Sequence, residues 1–310
     1  MIERILACLA ALSVLCAAAG CGRDVAGTDP STDAPTEIGE TAPAEQVEQE
    51  GQEEQVEQTR TDYVVRTDRM TFFLSKKDFR EEDVRAIAAE VGSVMEDVRT
   101  YLGIPDAPGT GGGAECCLDS AYRDPNGQKR SWCDWEEGKL YCVSLTDFVH
   151  EYVHLVCETQ EALVYHPGKF FSEGLAQSVS LRFHHGIATR EYRFFRESPV
   201  SEDSDAEEHR TICGLLADNG FAYNAGNYNR AFAALLDRRW GIDKVDRNSD
   251  FYQYVVGPIF VDYCVGQLGG IEKFLSVYCD SVTVADVYGK TVEELVAEAC
   301  AHNTAAFYRE

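Results

Sequence analysis

Apolar residues recur at steps of three and four along residues 84–102, which is the spacing that gives an α-helix one apolar face. The residues of this face are Val84, Ile87, Ala88, Val91, Met95, Val98 and Leu102. Comparable spacing predicts further helices at residues 148–156, 170–176, 229–240, 254–268, 271–278 and 292–300. Strands are predicted within 62–75, across 116–142 and at 139–143. We therefore expect an α+β fold, with a small mixed N-terminal lobe at about 61–169 and a mostly helical C-terminal lobe at about 170–310.

The predicted helix at 148–156 contains an H-E-x-x-H motif formed by His150, Glu151 and His154. Residues four apart lie on the same face of a helix, so the two imidazoles can bind one metal ion. Zinc is the metal expected, since imidazole nitrogens bind it at about 2.0–2.1 Å and catalytic sites leave one position to water. Glu151 can reach that water as a general base. The alternative is that both histidines belong to a structural helix and bind no metal.

Downstream of the motif, Glu173 opens the segment Glu-Gly-Leu-Ala, and Tyr254 opens Tyr-Val-Val-Gly. These motifs and their order resemble the gluzincin metallopeptidases, in particular the catalytic domain of the aminopeptidase N family. The resemblance implies a zincin-like catalytic domain holding one zinc ion, with Glu173 as the third ligand. It also implies that the Tyr254 hydroxyl donates a hydrogen bond to the oxyanion. The alternatives are a surface carboxylate at the start of a helix for Glu173 and a core tyrosine for Tyr254.

The resemblance implies an exported zinc-dependent metallopeptidase that hydrolyses peptide bonds in a peptide or protein substrate. The Gly-x-Met-Glu-Asn segment that holds a free amine in aminopeptidases has no counterpart between residues 111 and 147. Gln177 occupies a position where some gluzincins carry an aspartate that orients a ligand histidine, although a helix-surface glutamine is the alternative. Two other functions stay open: a surface binding module with a structural or vestigial zinc site, and hydrolysis of a non-peptide amide.

Residues 1–21 have the pattern of an export signal, with Arg4 before an apolar run at 5–19 and small residues before Cys21. The ending resembles a bacterial lipobox, which implies that a lipid on Cys21 anchors the protein to the outer face of the cell membrane. The usual leucine is replaced by Ala18, and plain secretion is the alternative. Detergent partitioning that is lost in Cys21→Ala would test the anchor.

Residues 22–60 contain eleven acidic and two basic side chains and almost no large apolar residue. Such a stretch cannot bury enough surface to fold, so we predict a disordered acidic tether, or a leader without a role of its own. We expect residues 61–310 to form the folded domain, which the resemblance identifies as zincin-like. The net charge of −25 argues against nucleic acid as a partner, because phosphates bind basic surfaces.

Nine cysteines follow the signal segment, and no two of them are spaced as C-x-x-C. They are Cys116, Cys117, Cys133, Cys142, Cys157, Cys213, Cys264, Cys279 and Cys300. In an exported protein we expect most of them to form disulfides, with at least one left over because the number is odd. A thiolate metal site is the alternative.

Overall fold

The computed structural model describes residues 56–104, 113–159, 168–183, 252–278 and 282–307, together with Arg230, Ala231, Ala233, Ala234 and Asp237. The predicted signal segment 1–21, its Cys21 and residues 22–55 of the tether lie outside these ranges, so those predictions are untested. Most of the helix predicted at 229–240 also lies outside them, although the five separate residues named above are helical. Within the described ranges, every helix is too short or too polar to cross a lipid bilayer.

A mixed sheet of six strands forms the N-terminal part of the structure. Its strands are β1 (Val56–Gln58), β2 (Asp62–Arg66), β3 (Met70–Ser75), β4 (Ala114–Leu118), β5 (Trp132–Asp134) and β6 (Lys139–Cys142). The spatial order is β1-β2-β3-β4-β6-β5. β1, β2 and β3 pair antiparallel, whereas β3, β4 and β6 pair parallel, and β5 closes one end antiparallel to β6. This sheet together with the helices makes the fold α+β.

The start of the domain contains more strand than was predicted. The strand predicted within 62–75 is confirmed as β3, and β2 precedes it in the same stretch, joined by a turn in which the backbone N–H of Thr67 donates to the carbonyl oxygen of Met70 at 3.1 Å. Residues 56–58, which were assigned to the tether, also pair with β2. Val56 packs against the core there, which explains why the last residues of the predicted tether belong to the sheet.

The first helix, α1 (Glu81–Leu102), connects the parallel strands β3 and β4. All seven residues of the predicted apolar face are buried. They meet the inner face of the sheet, where Phe72, Leu118 and Leu140 are fully buried as well. Gly103 ends the helix in the left-handed region, with φ of 72°, as helix C-termini commonly do. The periodicity therefore predicted this helix and its buried face correctly.

The other helices whose bounds are described include those that carry the candidate site. They are α2 (Phe148–Thr159), α3 (Lys169–Phe183), α4 (Gly257–Leu268), α5 (Gly270–Leu275), α6 (Val284–Tyr288) and α7 (Val292–Phe307). A π-helical turn, Tyr252–Val256, precedes α4. The helices predicted at 148–156, 170–176, 254–268, 271–278 and 292–300 are confirmed, with α2, α3 and α7 extending beyond their predictions and with residues 276–278 forming a 3-10 turn after α5. The helix α6 was not predicted. The division into two lobes near residue 169 stays a prediction.

The disulfide prediction is wrong among the seven cysteines that the structure describes, because no disulfide joins any two of them. A hydrogen bond joins the thiols of Cys116 and Cys142, and together with burial it raises the pKa of Cys142. Their strand positions are offset, since Cys116 lies opposite Leu140. Burial raises the pKa of Cys117 to about 12, and thiols held protonated are poor metal ligands. Cys213 and Cys279 lie outside the described ranges.

Candidate metal centre

The helix α2 presents its two histidines on one face, as the four-residue spacing predicts. The rings of His150 and His154 lie with centroids 4.8 Å apart, and their Nε2 atoms are 3.1 Å apart. The apolar residues of the same helix point the other way, where Phe148 and Val156 are fully buried in the core. This packing against the sheet and α1 fixes the rotation of the helix about its axis, so both imidazoles face the helices of the C-terminal part.

The third predicted ligand, Glu173, comes from the first turns of α3. Its Oε2 lies 3.1 Å from Nε2 of His150 and 3.4 Å from Nε2 of His154. The three ligand atoms therefore form a nearly equilateral triangle. Ligands bound tetrahedrally to zinc at about 2.0–2.1 Å are about 3.3 Å apart, so the observed triangle has the size of a zinc site. Within the described ranges these residues are the group that could hold a metal ion.

Each of the three side chains is mostly buried but keeps an opening to solvent. The exposed fraction is 13% for His150, 15% for His154 and 17% for Glu173. A site of this kind can hold a metal ion and still admit water and a substrate, whereas a structural zinc site is closed by four protein ligands. The partial exposure therefore fits a reactive metal centre better than a structural one.

The electrostatics of the triad favour a cation. Burial acts to raise the pKa of the Glu173 carboxyl, but its hydrogen bonds with His150 and His154 outweigh that effect and hold the pKa far below its usual range. Burial acts to lower the pKa of His150, yet the hydrogen bond with Glu173 and the field of Glu151 raise it overall. A carboxylate that stays ionised beside two imidazoles supplies the negative charge that a divalent ion requires.

Glu151 lies on α2 between the two histidines in sequence and is only 8% exposed. Burial raises the pKa of its carboxyl, although the nearby His150 and His154 partly oppose this shift. A raised pKa brings a carboxylate closer to the operating range of a general base near neutral pH. The structure thus gives Glu151 a different electrostatic environment from Glu173, even though both carboxylates belong to the same cluster.

Tyr254 is brought to the same place by the π-helical turn before α4. Its ring centroid lies 5.9 Å from that of His150. π-helical turns are rare and occur often at functional sites, because they redirect a side chain that a regular helix would point elsewhere. The structure therefore unites all five principal predicted site residues, which come from three elements: His150, Glu151, His154, Glu173 and Tyr254.

Gln177, the sixth predicted residue, is buried on α3 one turn beyond Glu173. It forms no hydrogen bond with either histidine among the described residues, so the predicted orienting contact is absent there. A different carboxylate, that of Asp147, interacts electrostatically with His150. Asp147 lies one helical turn before His150, and its negative charge contributes to the raised pKa of His150. The hydroxyl of Ser131 donates a hydrogen bond to Oδ2 of Asp147 at 2.7 Å. The i, i+3 spacing of Asp147 and His150 could have revealed this neighbour in the sequence.

A scan against protein-family models, a search of curated proteins and a search of solved structures each found no match. The assignment of this site therefore rests on the residues of this chain and their arrangement.

Proposed function

We propose that this protein is an exported zinc-dependent peptide hydrolase with a zincin-like site. One observation carries the proposal: two histidines of α2 and a glutamate of α3 bring three ligand atoms to mutual distances of 3.1–3.4 Å, beside a buried carboxylate on α2. The spacing of these residues in the sequence does not by itself require the three ligand atoms to meet, and neither does the α+β fold.

His150, His154 and Glu173 would hold the metal. Two imidazoles and one carboxylate are a donor set that suits zinc in catalytic sites. When bound, zinc lowers the pKa of water to about 7 and polarises a carbonyl group. The partial exposure of the three side chains leaves room for both water and substrate at this position.

The other two residues of the site supply proton transfer and charge stabilisation. Glu151 accepts a proton from the attacking water and later returns that proton to the nitrogen of the leaving amine, so that the amide C–N bond is replaced by a C–O bond. The Tyr254 hydroxyl donates a hydrogen bond to the carbonyl oxygen as negative charge develops on it. No covalent bond between protein and substrate is required.

The sheet offers a place for an extended substrate. Among the described strands, β5 is the last at one end of the sheet, and it packs beside α2, the helix that carries the histidines. An extended peptide can add to such an edge through backbone hydrogen bonds, which give affinity with little dependence on sequence. We propose that substrate approaches the metal centre along β5.

The experiment compares the full chain with Glu151→Gln and with Glu272→Gln as an exposed control on α5. Zinc content is measured by mass spectrometry, and cleavage is measured with a mixed peptide library. We expect one zinc ion in all three proteins, and a fall in cleavage of roughly 10²–10⁴-fold in Glu151→Gln alone. Equal cleavage by Glu151→Gln and the wild type would contradict the role of Glu151. Zinc binding without cleavage by the wild type would favour a binding module.

A further inference from the structure

Two glycines lie in direct backbone contact where α3 and α4 cross. A Cβ atom placed on Gly174 would lie 2.9 Å from the carbonyl carbon of Gly257 and 3.0 Å from its Cα. A Cβ atom placed on Gly257 would lie 2.8 Å from Cα of Gly174 and 3.2 Å from the carbonyl oxygen of Phe170. Backbone atoms cannot move aside as the end of a long side chain can, so this crossing has no room for a methyl group.

Backbone conformation does not explain why these positions are glycine. Neither Gly174 nor Gly257 is among the glycines with positive φ, and both lie in helices, where glycine is a poor helix former. Alanine would suit the local helix better at both positions. What glycine provides here is the close approach of two helix backbones.

Both glycines are neighbours of proposed site residues. Gly174 follows the metal ligand Glu173 directly in α3. Gly257 lies one turn after Tyr254, at the point where the π-helical turn passes into α4. The distance between the two backbones at this contact therefore sets how far Tyr254 lies from the ligand cluster.

Contacts on both sides of the glycines hold the crossing in place. On one side Phe170 packs against Tyr252 and Phe260, with ring centroids 5.2 and 5.3 Å apart. On the other side the hydroxyl of Ser178 donates to Oδ1 of Asp262 at 2.7 Å. The helices are thus fixed at a short separation and cannot slide freely past one another.

We propose that Gly174 and Gly257 are positioning residues, whose contact holds the Tyr254 hydroxyl at hydrogen-bonding distance from the carbonyl oxygen of a substrate at the His150, His154 and Glu173 site. This inference rests on the proposed function. A methyl group on Gly257 must move from 2.8 Å to an ordinary carbon–carbon contact of about 3.5–4.0 Å, which displaces α4 by about 1 Å. A misplacement of that size can reduce turnover by roughly 10²-fold.

The test compares the full-length wild type with Gly257→Ala, Tyr254→Phe, the double variant and Gly266→Ala. Gly266 is a matched control, since it lies in the same helix and a Cβ on it meets no atom within 4 Å. We expect Gly257→Ala to retain one zinc ion, to lose roughly 10–10²-fold in kcat, and to change KM little. Its affinity for a phosphonate analogue of a cleaved peptide, measured by calorimetry without turnover, should fall by a similar factor.

The double variant separates positioning from a general structural effect. If Gly257 acts through Tyr254, adding Gly257→Ala to Tyr254→Phe should change kcat by less than about threefold. A full additional loss in that background would overturn the inference, as would a Gly257→Ala protein that matches Gly266→Ala in kcat and analogue affinity. A wild type that holds no zinc and cleaves no peptide would overturn the proposed function and the inference with it.

Ser178→Ala serves if Gly257→Ala fails to fold, because it removes an atom from the crossing instead of adding one. It deletes the hydrogen bond to Asp262 that holds α3 against α4. We expect a three- to tenfold fall in kcat that disappears in the Tyr254→Phe background. An unchanged kcat, or the same fall in both backgrounds, would overturn the inference.

Discussion

The two halves of the candidate site are built in different ways. His150 and His154 belong to one helix, and their Nε2 atoms lie 3.1 Å apart because residues four apart share a helix face. Glu173 and Tyr254 belong to two other elements that meet only through tertiary packing. The contacts that join those elements, such as Ser178 with Asp262, connect residues 84 positions apart.

This difference separates residues whose relative positions are set within one helix from residues whose positions depend on how the helices pack. The histidine pair is set by local geometry and by the burial of α2 against the sheet, so it should tolerate changes elsewhere in the fold. The position of Tyr254 depends on a backbone contact in which a single added methyl group has no room. We therefore expect perturbations of the α3–α4 crossing to affect catalysis before they affect metal binding.

The largest effect should follow removal of a metal ligand from either half. His154→Ala and Glu173→Ala should each lose the zinc ion, and turnover should fall by at least ~10³-fold, because the metal contributes several kcal/mol to stabilising the transition state. Zinc content by mass spectrometry and peptide cleavage measure the two losses. His302→Ala is the matched control, since this exposed histidine of α7 has its ring beside Tyr263 and not beside the ligand cluster. A Glu173→Ala protein that retains tightly bound zinc would show that the two halves do not share one ion.

Tyr254→Phe should have the next largest effect, and it should reduce turnover without reducing zinc binding. Removing one donor to an oxyanion costs roughly 10²–10³-fold in kcat, while zinc binding should be unchanged because the hydroxyl is not a ligand. Tyr263→Phe provides the control on the following helix, α4, where the lost hydroxyl donates to Glu298 at 3.2 Å. Equal kcat values for the two variants would assign Tyr254 to the core rather than to the site.

The sequence predicted the local features well. The apolar periodicity located α1, α2 and α4, and the H-E-x-x-H spacing was enough to identify the histidine pair. The hairpin within 62–75 was not predicted, although the four consecutive polar residues at 66–69 interrupt the alternation at its turn. The disulfide prediction failed for the described cysteines because composition says nothing about which thiols come together.

The finer arrangement of the site could not be predicted from residue spacing. Glu173 and Tyr254 were identified by resemblance to a family, whereas their approach to His150 depends on how α3 and α4 cross. The contact between Gly174 and Gly257 gives no periodic signal, because each glycine alone resembles an ordinary weak point in a helix. The neighbour Asp147 is different: its spacing indicates that it lies near His150, but the hydrogen bond from Ser131 that holds its carboxylate joins residues 16 positions apart.

The smallest effect should come from Gln177→Ala. A contact that orients a ligand histidine is worth roughly 10–10²-fold in metal affinity, but Gln177 makes no hydrogen bond with His150 or His154 among the described residues. We therefore expect the zinc dissociation constant to change by less than about threefold, as measured by competition with a chelating dye. A tenfold weaker affinity would restore Gln177 as an orienting residue.

The central claim is that one metal ion joins α2 to α3 through His150, His154 and Glu173. Diffraction data collected on either side of the zinc absorption edge, from crystals of the zinc-loaded protein, test this claim most directly. We expect one strong anomalous peak within about 2.0–2.2 Å of both Nε2 atoms and of Oε2 of Glu173. No peak at this position, or the main peak among the cysteines, would contradict the claim.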